Sequence, residues 1–432
     1  MSRNIGVGLA GFGTVGAGVY KNLLANADLI ARRSGYRFEI RKIAVRDPAK
    51  ARPLSPPADR VTGRVEDLLE DPDIRIVIEL MGGIEGPLAF VKSAIAQGKI
   101  VITGNKALLA EHGEELFRLA AERGTLIFYE AAVAGGIPII KAMRESFVGN
   151  RFASIHGILN GTSNYILTRM ADAGLGYPEA LEEARSHGYA EADPTLDING
   201  WDAAHKAIIL AALAHGFWIS PGDVFVEGID RIALEDARFA GELGYRIKLL
   251  ATIRPSEGGL IEARVCPTLI PKTHVLASVS GVFNAVAVRG DIVGDALFYG
   301  RGAGQDPTSS SVLGDLVDAA AALENGRQPC RLTTHAPHGK CLPPGQAVSK
   351  FYLRLQVEDT PGVLARIAGV LGEAGIGILS VIQPWAHESG PVPLVLMIHD
   401  AAEGAMRSAA ERLGGLDCVK EPPTLLHVEA FS

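Results

Sequence analysis

Residues 5–16 read IGVGLAGFGTVG: an apolar run, Ile5–Ala10, leads straight into the loop Gly11-Phe12-Gly13-Thr14-Val15-Gly16. A G-x-G-x-x-G between a strand and a helix start allows a tight turn. It also brings backbone amides close to a pyrophosphate held on the helix N-terminus. Downstream the same alternation continues. β-like runs recur at Phe38–Val45, Ile76–Leu80, Ile100–Thr103 and Thr125–Tyr129, with helix-like stretches such as Leu88–Gln97 and Ala107–Arg123 between them. Strand and helix alternating over short connections imply a parallel, doubly wound α/β sheet. Residues 1–132 are therefore read as a dinucleotide-binding domain.

The whole chain, 432 residues, has room for about three domains at roughly 150 residues each. With 47% hydrophobic and 21% charged residues it can build a large core, which excludes intrinsic disorder. A net charge of −7 argues against a nucleic-acid partner. No apolar run reaches the ~18 residues of a membrane span, and the N-terminus lacks a signal-peptide pattern. Four cysteines in so long a chain do not make a disulfide scaffold. These features point to a cytoplasmic protein.

Residues 133–305 form a mixed α+β block. Ile155–Leu159 and Ile261–Leu269 read as strands, and Trp201–His215 as a helix apolar on nearly every side, hence buried. A capped helix at 307–323 is expected to pack back on the first domain. A Pro/Gly-rich linker, 325–348, leads to the last block, 349–432. There Phe351–Val357, Pro361–Gly372, Ile376–Gln383, Leu394–His399, Ala401–Leu413 and Cys418–Ala430 follow the order βαββαβ of the ferredoxin-like plan.

Four clusters carry chemistry. After the second strand, Arg46 precedes Asp47, with Lys50 nearby. The arginine suits a ribose 2′-phosphate and so NADP; the aspartate would bond a 2′-hydroxyl and so favour NAD, and a solvated charge cluster is the bland reading. Of the two, the arginine tips the reading towards NADP. Asp202 and Lys206 stand four apart on the apolar helix, one face of which must therefore meet a cleft or another charge. A buried lysine suits proton transfer. Upstream, Gly188-Tyr189-Ala190-Glu191-Ala192-Asp193-Pro194 adds polar candidates. Lys106 follows the fourth strand at the carboxyl edge, where ligands of open α/β sheets sit. Glu130–Ile137 joins one carboxylate to exposed backbone carbonyls, a donor set for a hard cation, although a domain crossover explains its glycines equally. In the linker, Cys330, His335, His338 and Cys341 miss the usual zinc spacings.

Taken together, GLAGFGTVGAGV (8–19), TGNKALLA (103–110), YEAAVAGGIPII (129–140), GILNGTSNYILT (157–168), GYAEADPTLDINGWDAAHKAIIL (188–210) and GRGAGQDPTSS (300–310) resemble the homoserine dehydrogenases. The match runs in order over almost the whole chain, and 188–210 is its most specific part. The resemblance implies an N-terminal Rossmann domain, an α+β substrate and dimerisation domain, and NAD(P)H-dependent reduction of L-aspartate 4-semialdehyde to L-homoserine, a step of threonine and methionine biosynthesis. It assigns the proton donor to Lys206, the active-site loop lysine to Lys106, and the substrate-holding acids to Glu191 and Asp202. A sodium ion falls to Glu130, Val133, Gly135 and Ile137, and the nicotinamide surroundings to Gly188, Gly302 and Gly304.

Residues 349–432 resemble an ACT domain through Glu358–Leu364 and Ser380-Val381-Ile382-Gln383. That resemblance implies L-threonine as an effector and a homo-oligomer, dimer or tetramer. The length leaves no room for a fused aspartate kinase. Two other readings compete. An aspartate-semialdehyde dehydrogenase would need a nucleophilic cysteine, and the middle block offers only Cys266. A non-catalytic nucleotide and amino-acid sensor would be expected to lack Lys206 or its carboxylates.

Overall fold

The computed structural model describes residues 3–52, 54–325, 339–383 and 390–431. The chain forms two compact units and enters each more than once. One comprises Met1–Ser154, His205–Pro221 and Asn284–Gly339; the other comprises Ile155–Ala204, Gly222–Phe283 and Lys340–Ser432. The consecutive blocks of the sequence reading divide the chain differently, because long-range strand pairing and not chain order decides what packs together.

In the first unit, six strands lie side by side: β1 (Arg3–Ala10), β2 (Tyr36–Ala44), β3 (Val61–Thr62), β4 (Ile74–Glu79), β5 (Ile100–Thr103) and β6 (Ile127–Phe128). All pairs are parallel, in the order β3-β2-β1-β4-β5-β6. This is the Rossmann order, with its crevice between the carboxyl ends of β1 and β4. The central strands β4 and β5 are near-continuous aliphatic runs, as a sheet covered on both faces requires, whereas β2 alternates buried and polar residues. Val7, Leu9, Ile76, Ile78 and Ile102 are fully buried. The helix Gln305–Asn325 closes this core with Val312, Leu316, Ala319 and Ala320. Its start is tied to the helix Thr14–Ala25 by Lys21 Nζ to Asp306 at 2.7 Å and Asn22 Nδ2 to Ser309 Oγ at 2.7 Å.

Further strands are β7 (Phe152–Ile158), β8 (Phe225–Val226), β9 (Tyr245–Pro255), β10 (Ile261–Pro271), β11 (Phe283–Gly290), β12 (Gly294–Arg301), β13 (Val348–Val357), β14 (Ile378–Ile382), β15 (Val392–Ala402) and β16 (Thr424–Val428). The second unit holds the order β7-β9-β10-β16-β13-β15-β14, with β8 beside β10. Residues 348–428 make βαββαβ with helices Val363–Glu373 and Glu403–Gly414. The spatial order of the four strands, fourth-first-third-second, is that of the ferredoxin-like plan. Phe351, Leu353, Ile367, Leu371, Leu396 and Leu413 fill its core.

This module continues the sheet of the second unit, since β16 pairs in parallel with β10 at Thr268–His427 and Leu269–Val428. Buried ion pairs reinforce the junction. Arg264 meets Glu262 at 2.5 Å and Glu429 at 2.7 Å, and Arg354 meets Asp236 at 2.6 Å. The end of the presumed linker is also engaged. Ile261 N donates to Lys340 O at 3.0 Å, and Leu342 N donates to Ile261 O at 2.8 Å.

His156, on β7, lies 3.9 Å from Glu429 in this junction. Burial pushes its pKa down to about 4, against the pull of Glu429. Unfolding exposes the ring and restores its ordinary value. Below pH 6.5 the unfolded chain therefore binds a proton that the folded chain refuses. The resulting stability is complete above pH 6.5 and is lost as pH falls towards 4, on the order of 3 kcal/mol in all. Melting curves recorded from pH 7 to pH 4 should fall less steeply for His156→Phe than for the wild type. Parallel curves would remove His156 from the acid transition.

Candidate functional site

The turn after β1 shows why each glycine of the loop is needed. Gly11 adopts φ +99°, and a Cβ there would lie 2.4 Å from the Leu80 carbonyl oxygen. A Cβ on Gly16 would lie 2.2 Å from the Gly11 carbonyl oxygen, whereas one on Gly13 would meet nothing within 4 Å. The first and third glycines close the turn, and the second keeps open the space that a pyrophosphate would occupy. Gly13 is also the N-cap of the helix Thr14–Ala25 and supplies no side-chain cap, so the first amides are left for an anion. Phe12 packs edge-on against Tyr20 at 5.7 Å, and Val15 packs against the core. These residues therefore fit a dinucleotide. Arg46, just past β2, is exposed; the Asp47 side chain accepts from Ala49 N at 2.9 Å.

Lys106 opens the helix Lys106–Arg123, which Asn105 caps by accepting from Leu108 N at 3.1 Å. A cation in the first turn opposes the helix dipole, so helix stability does not explain its placement. The ground beneath it is built from Glu79, at the end of β4. Thr103 Oγ1 donates to one carboxylate oxygen at 2.6 Å and Met81 N to the other at 2.8 Å. Burial raises the pKa of this carboxyl. Asn105 Nδ2 reaches Gly83 O at 2.7 Å and ties the turns after β4 and β5 together.

Lys206 lies in the first unit, on the helix Trp201–His215, and is buried, as are Ala203, Ala207, Ile209 and Leu210 of the same helix. The segment just after that helix packs on the Lys106 helix. Trp218 stacks on Phe117 at 5.7 Å and lies over Gly113, where a Cβ would come within 2.3 Å of the indole.

Beyond β6, Glu130 is buried and accepts from Ile140 N at 2.9 Å and Lys141 N at 2.8 Å. Its own N–H donates to the buried Asp315 at 2.9 Å. Burial raises the Glu130 pKa to about 7 and pushes Asp315 well above the carboxylate range. Ala134 (φ +52°) and Gly135 (φ +40°) then twist the chain through the left-handed region. The Gly135 carbonyl accepts from the Ser311 hydroxyl, and the Ile137 carbonyl accepts from Ile139 N at 2.8 Å. Each carbonyl keeps a second lone pair. A buried acidic pair beside backbone oxygens has the donor chemistry that a hard cation takes. Among the described residues there is no cluster of three or more His, Cys, Asp or Glu for a transition metal. Cys330, His335 and His338 lie outside the described residues; Cys341 sits against Asp223 O at 3.5 Å.

In the second unit, Gly188 (φ +72°) ends a turn whose next acid, Glu191, is exposed, while Asp202 is buried. Asn160, which the sequence reading did not single out, organises this part. Its Oδ1 accepts from Ser163 N and caps the helix Gly161–Ala173. Its Nδ2 donates to Asp202 at 2.8 Å and to Asp197 at 2.7 Å. The N-G-T-S string is a helix-start signal, but its reach to residues 197 and 202 is tertiary. Gln305, also not anticipated, donates from Nε2 to Thr14 O at 3.1 Å and sets the Gly302–Gly304 loop beside the dinucleotide turn. Cys266 is fully buried on β10 next to Thr268, which does not suit a nucleophile.

The comparisons with known proteins agree along the full chain. Residues 11–130 match the family pattern described as homoserine dehydrogenase, NAD binding domain, and residues 138–317 match that described as homoserine dehydrogenase. The chain is 44% identical to the homoserine dehydrogenase of Pseudomonas aeruginosa, with 100% of both chains covered. It is 42% identical to that of Neisseria gonorrhoeae, with 99% of each covered. Among solved structures, a homoserine dehydrogenase from Thiobacillus denitrificans matches with a TM-score of 0.91 at 40% identity, over 99% of each chain. A hyperthermophilic archaeal homoserine dehydrogenase in complex with NADPH matches with a TM-score of 0.61 at 26% identity, over 76% of this chain and 100% of that one. The chain belongs to the homoserine dehydrogenase family.

Proposed function

We propose that this oxidoreductase reduces L-aspartate 4-semialdehyde to L-homoserine, with NADPH preferred over NADH, in the cytoplasmic route to threonine and methionine. The observation that carries the reading is the union, in one compact unit, of the pyrophosphate turn Gly11–Gly16, Lys106, Lys206 and the Gly302–Gly304 loop. The bound dinucleotide supplies the hydride. As the aldehyde oxygen gains negative charge, Lys206 gives it a proton. Glu191 and Asp202 hold the substrate ammonium, which fixes the carbonyl against the cofactor, and Lys106 is the active-site loop lysine. Gly188, Gly302 and Gly304 surround the nicotinamide. Arg46 faces the ribose 2′-phosphate, a reading supported by its exposure and by the engagement of Asp47 with its own turn. A sodium ion would be held by Glu130 and the carbonyls of Val133, Gly135 and Ile137.

The ferredoxin-like module is read as an ACT domain that binds L-threonine and lowers activity, in a dimer or tetramer. Gln383 Nε2 donates to Asp359 at 3.0 Å, so the two strings that carry that resemblance meet. The deciding assay follows nicotinamide absorbance with L-homoserine and NADP or NAD, each with and without L-threonine. Faster turnover with NADP, suppressed by threonine, is expected. Turnover indifferent to threonine would end the regulatory reading. Folded protein that binds dinucleotide without turnover would end the catalytic one.

A further inference from the structure

Asn284, near the start of β11, is 1% exposed, and neither its Oδ1 nor its Nδ2 has a hydrogen-bond partner. Folded proteins seldom leave a buried carboxamide wholly unpaired, because both its donor and its acceptor have given up water for nothing. Its neighbour explains the position. A Cβ on Gly302 would lie 1.9 Å from Asn284 Nδ2 and 2.1 Å from its Cγ, so the loop backbone lies directly against the amide. On its other side the loop is held by the twisted segment at Gly135, where a Cβ would come within 2.5 Å of the Gly302 oxygen. It then runs into Gln305, bonded to Thr14 O and pressed on Gly18, where a Cβ would lie 2.8 Å from the Gln305 oxygen. The unpaired amide thus underlies a loop that touches the pyrophosphate turn.

We propose that Asn284 is a positioning residue for the cofactor: its carboxamide, unpaired in the ligand-free chain, pairs with the peptide groups of the Gly302–Gly304 loop when the dinucleotide is bound. The inference rests on reading that loop as part of the nicotinamide surroundings. A carboxamide offers one donor group and one acceptor, which matches a peptide group; leucine, of similar shape, offers neither. Asn284 therefore acts on dinucleotide affinity through the loop and leaves the amino-acid substrate alone.

The test uses Asn284→Leu in the full chain, with NADPH affinity read by fluorescence, melting temperature with and without NADPH, and the separate KM values for NADP and homoserine. The expected result is a ligand-free melting temperature at or above the wild-type value, because an unpaired buried group has gone. NADPH binding and the NADP KM should weaken about tenfold, with the homoserine KM within twofold. Unchanged NADPH affinity would overturn the proposal, as would a melting temperature lowered equally with and without ligand. Should Asn284→Leu fail to fold, Asn284→Ser, smaller and keeping one hydroxyl, carries the same readouts. Gly302→Ala separates the two ways of failing. Undiminished affinity in Gly302→Ala removes the loop from the cofactor site and the proposal with it. Affinity lost there but kept in Asn284→Leu overturns the role of Asn284 alone.

Discussion

Lys206→Ala is expected to lower kcat by roughly 10²- to 10⁴-fold, the range of a positioned general acid, while NADPH affinity and the circular dichroism spectrum stay close to wild type. Lys206 sits one turn after Asp202 on a helix whose Ala203, Ala204, Ala207, Ile208, Ile209 and Leu210 are buried. Truncating it leaves that packing in place and removes the only ammonium this helix carries. Lys206→Arg provides the complementary measurement. It keeps a cation but raises the proton's pKa beyond use near neutrality, so it should restore little of kcat. A Lys206→Ala enzyme turning over within a few-fold of wild type would remove the lysine from the chemistry.

The second large effect is expected at the dinucleotide turn, where two alanine substitutions should fail in different ways. In Gly16→Ala the new methyl collides with the Gly11 carbonyl, and Gly11 cannot retreat because its own Cα faces the Leu80 carbonyl. The start of the helix must shift, so both melting temperature and NADP affinity should fall, the latter by about 100-fold, or about 2.7 kcal/mol. In Gly13→Ala the methyl enters open space. The ligand-free protein should melt as wild type does, but with NADP binding impaired because the methyl stands where the pyrophosphate would lie. Equal NADP affinity in Gly13→Ala and wild type would show that the phosphates do not use this turn.

Local pattern carried much of the fold. Trp201–His215 and Ile100–Thr103 form over the residues that periodicity indicated. The long runs of β-branched residues placed five of the six Rossmann strands. β3 escaped because two residues, Val61 and Thr62, carry no period. The βαββαβ order was legible as well, since each of its elements has its own alternation or helical stripe.

What the sequence could not reveal were partnerships across long separations. Glu130 could be recognised as an isolated carboxylate among small residues, but not its pairing with Asp315 through 185 positions of chain. Asn160 offers in sequence no more than a helix-start signal, which the reading passed over, and its clamp on Asp202 has no local signature. The joining of β16 to β10 and the interleaving of the two units are of the same kind. They follow from which edges find each other in three dimensions, and one sequence does not encode that as a pattern.

The β10–β16 seam bears on enzyme engineering. Cutting the chain at residue 348 would bare the edge of β10, a template for aggregation. It would also part Asp236 from Arg354 and Arg264 from Glu429, ion pairs that are buried in the intact chain. If the module carries the proposed threonine control, point changes at Asp359 and Gln383, which are bonded to each other away from that seam, are the better route to a deregulated catalyst.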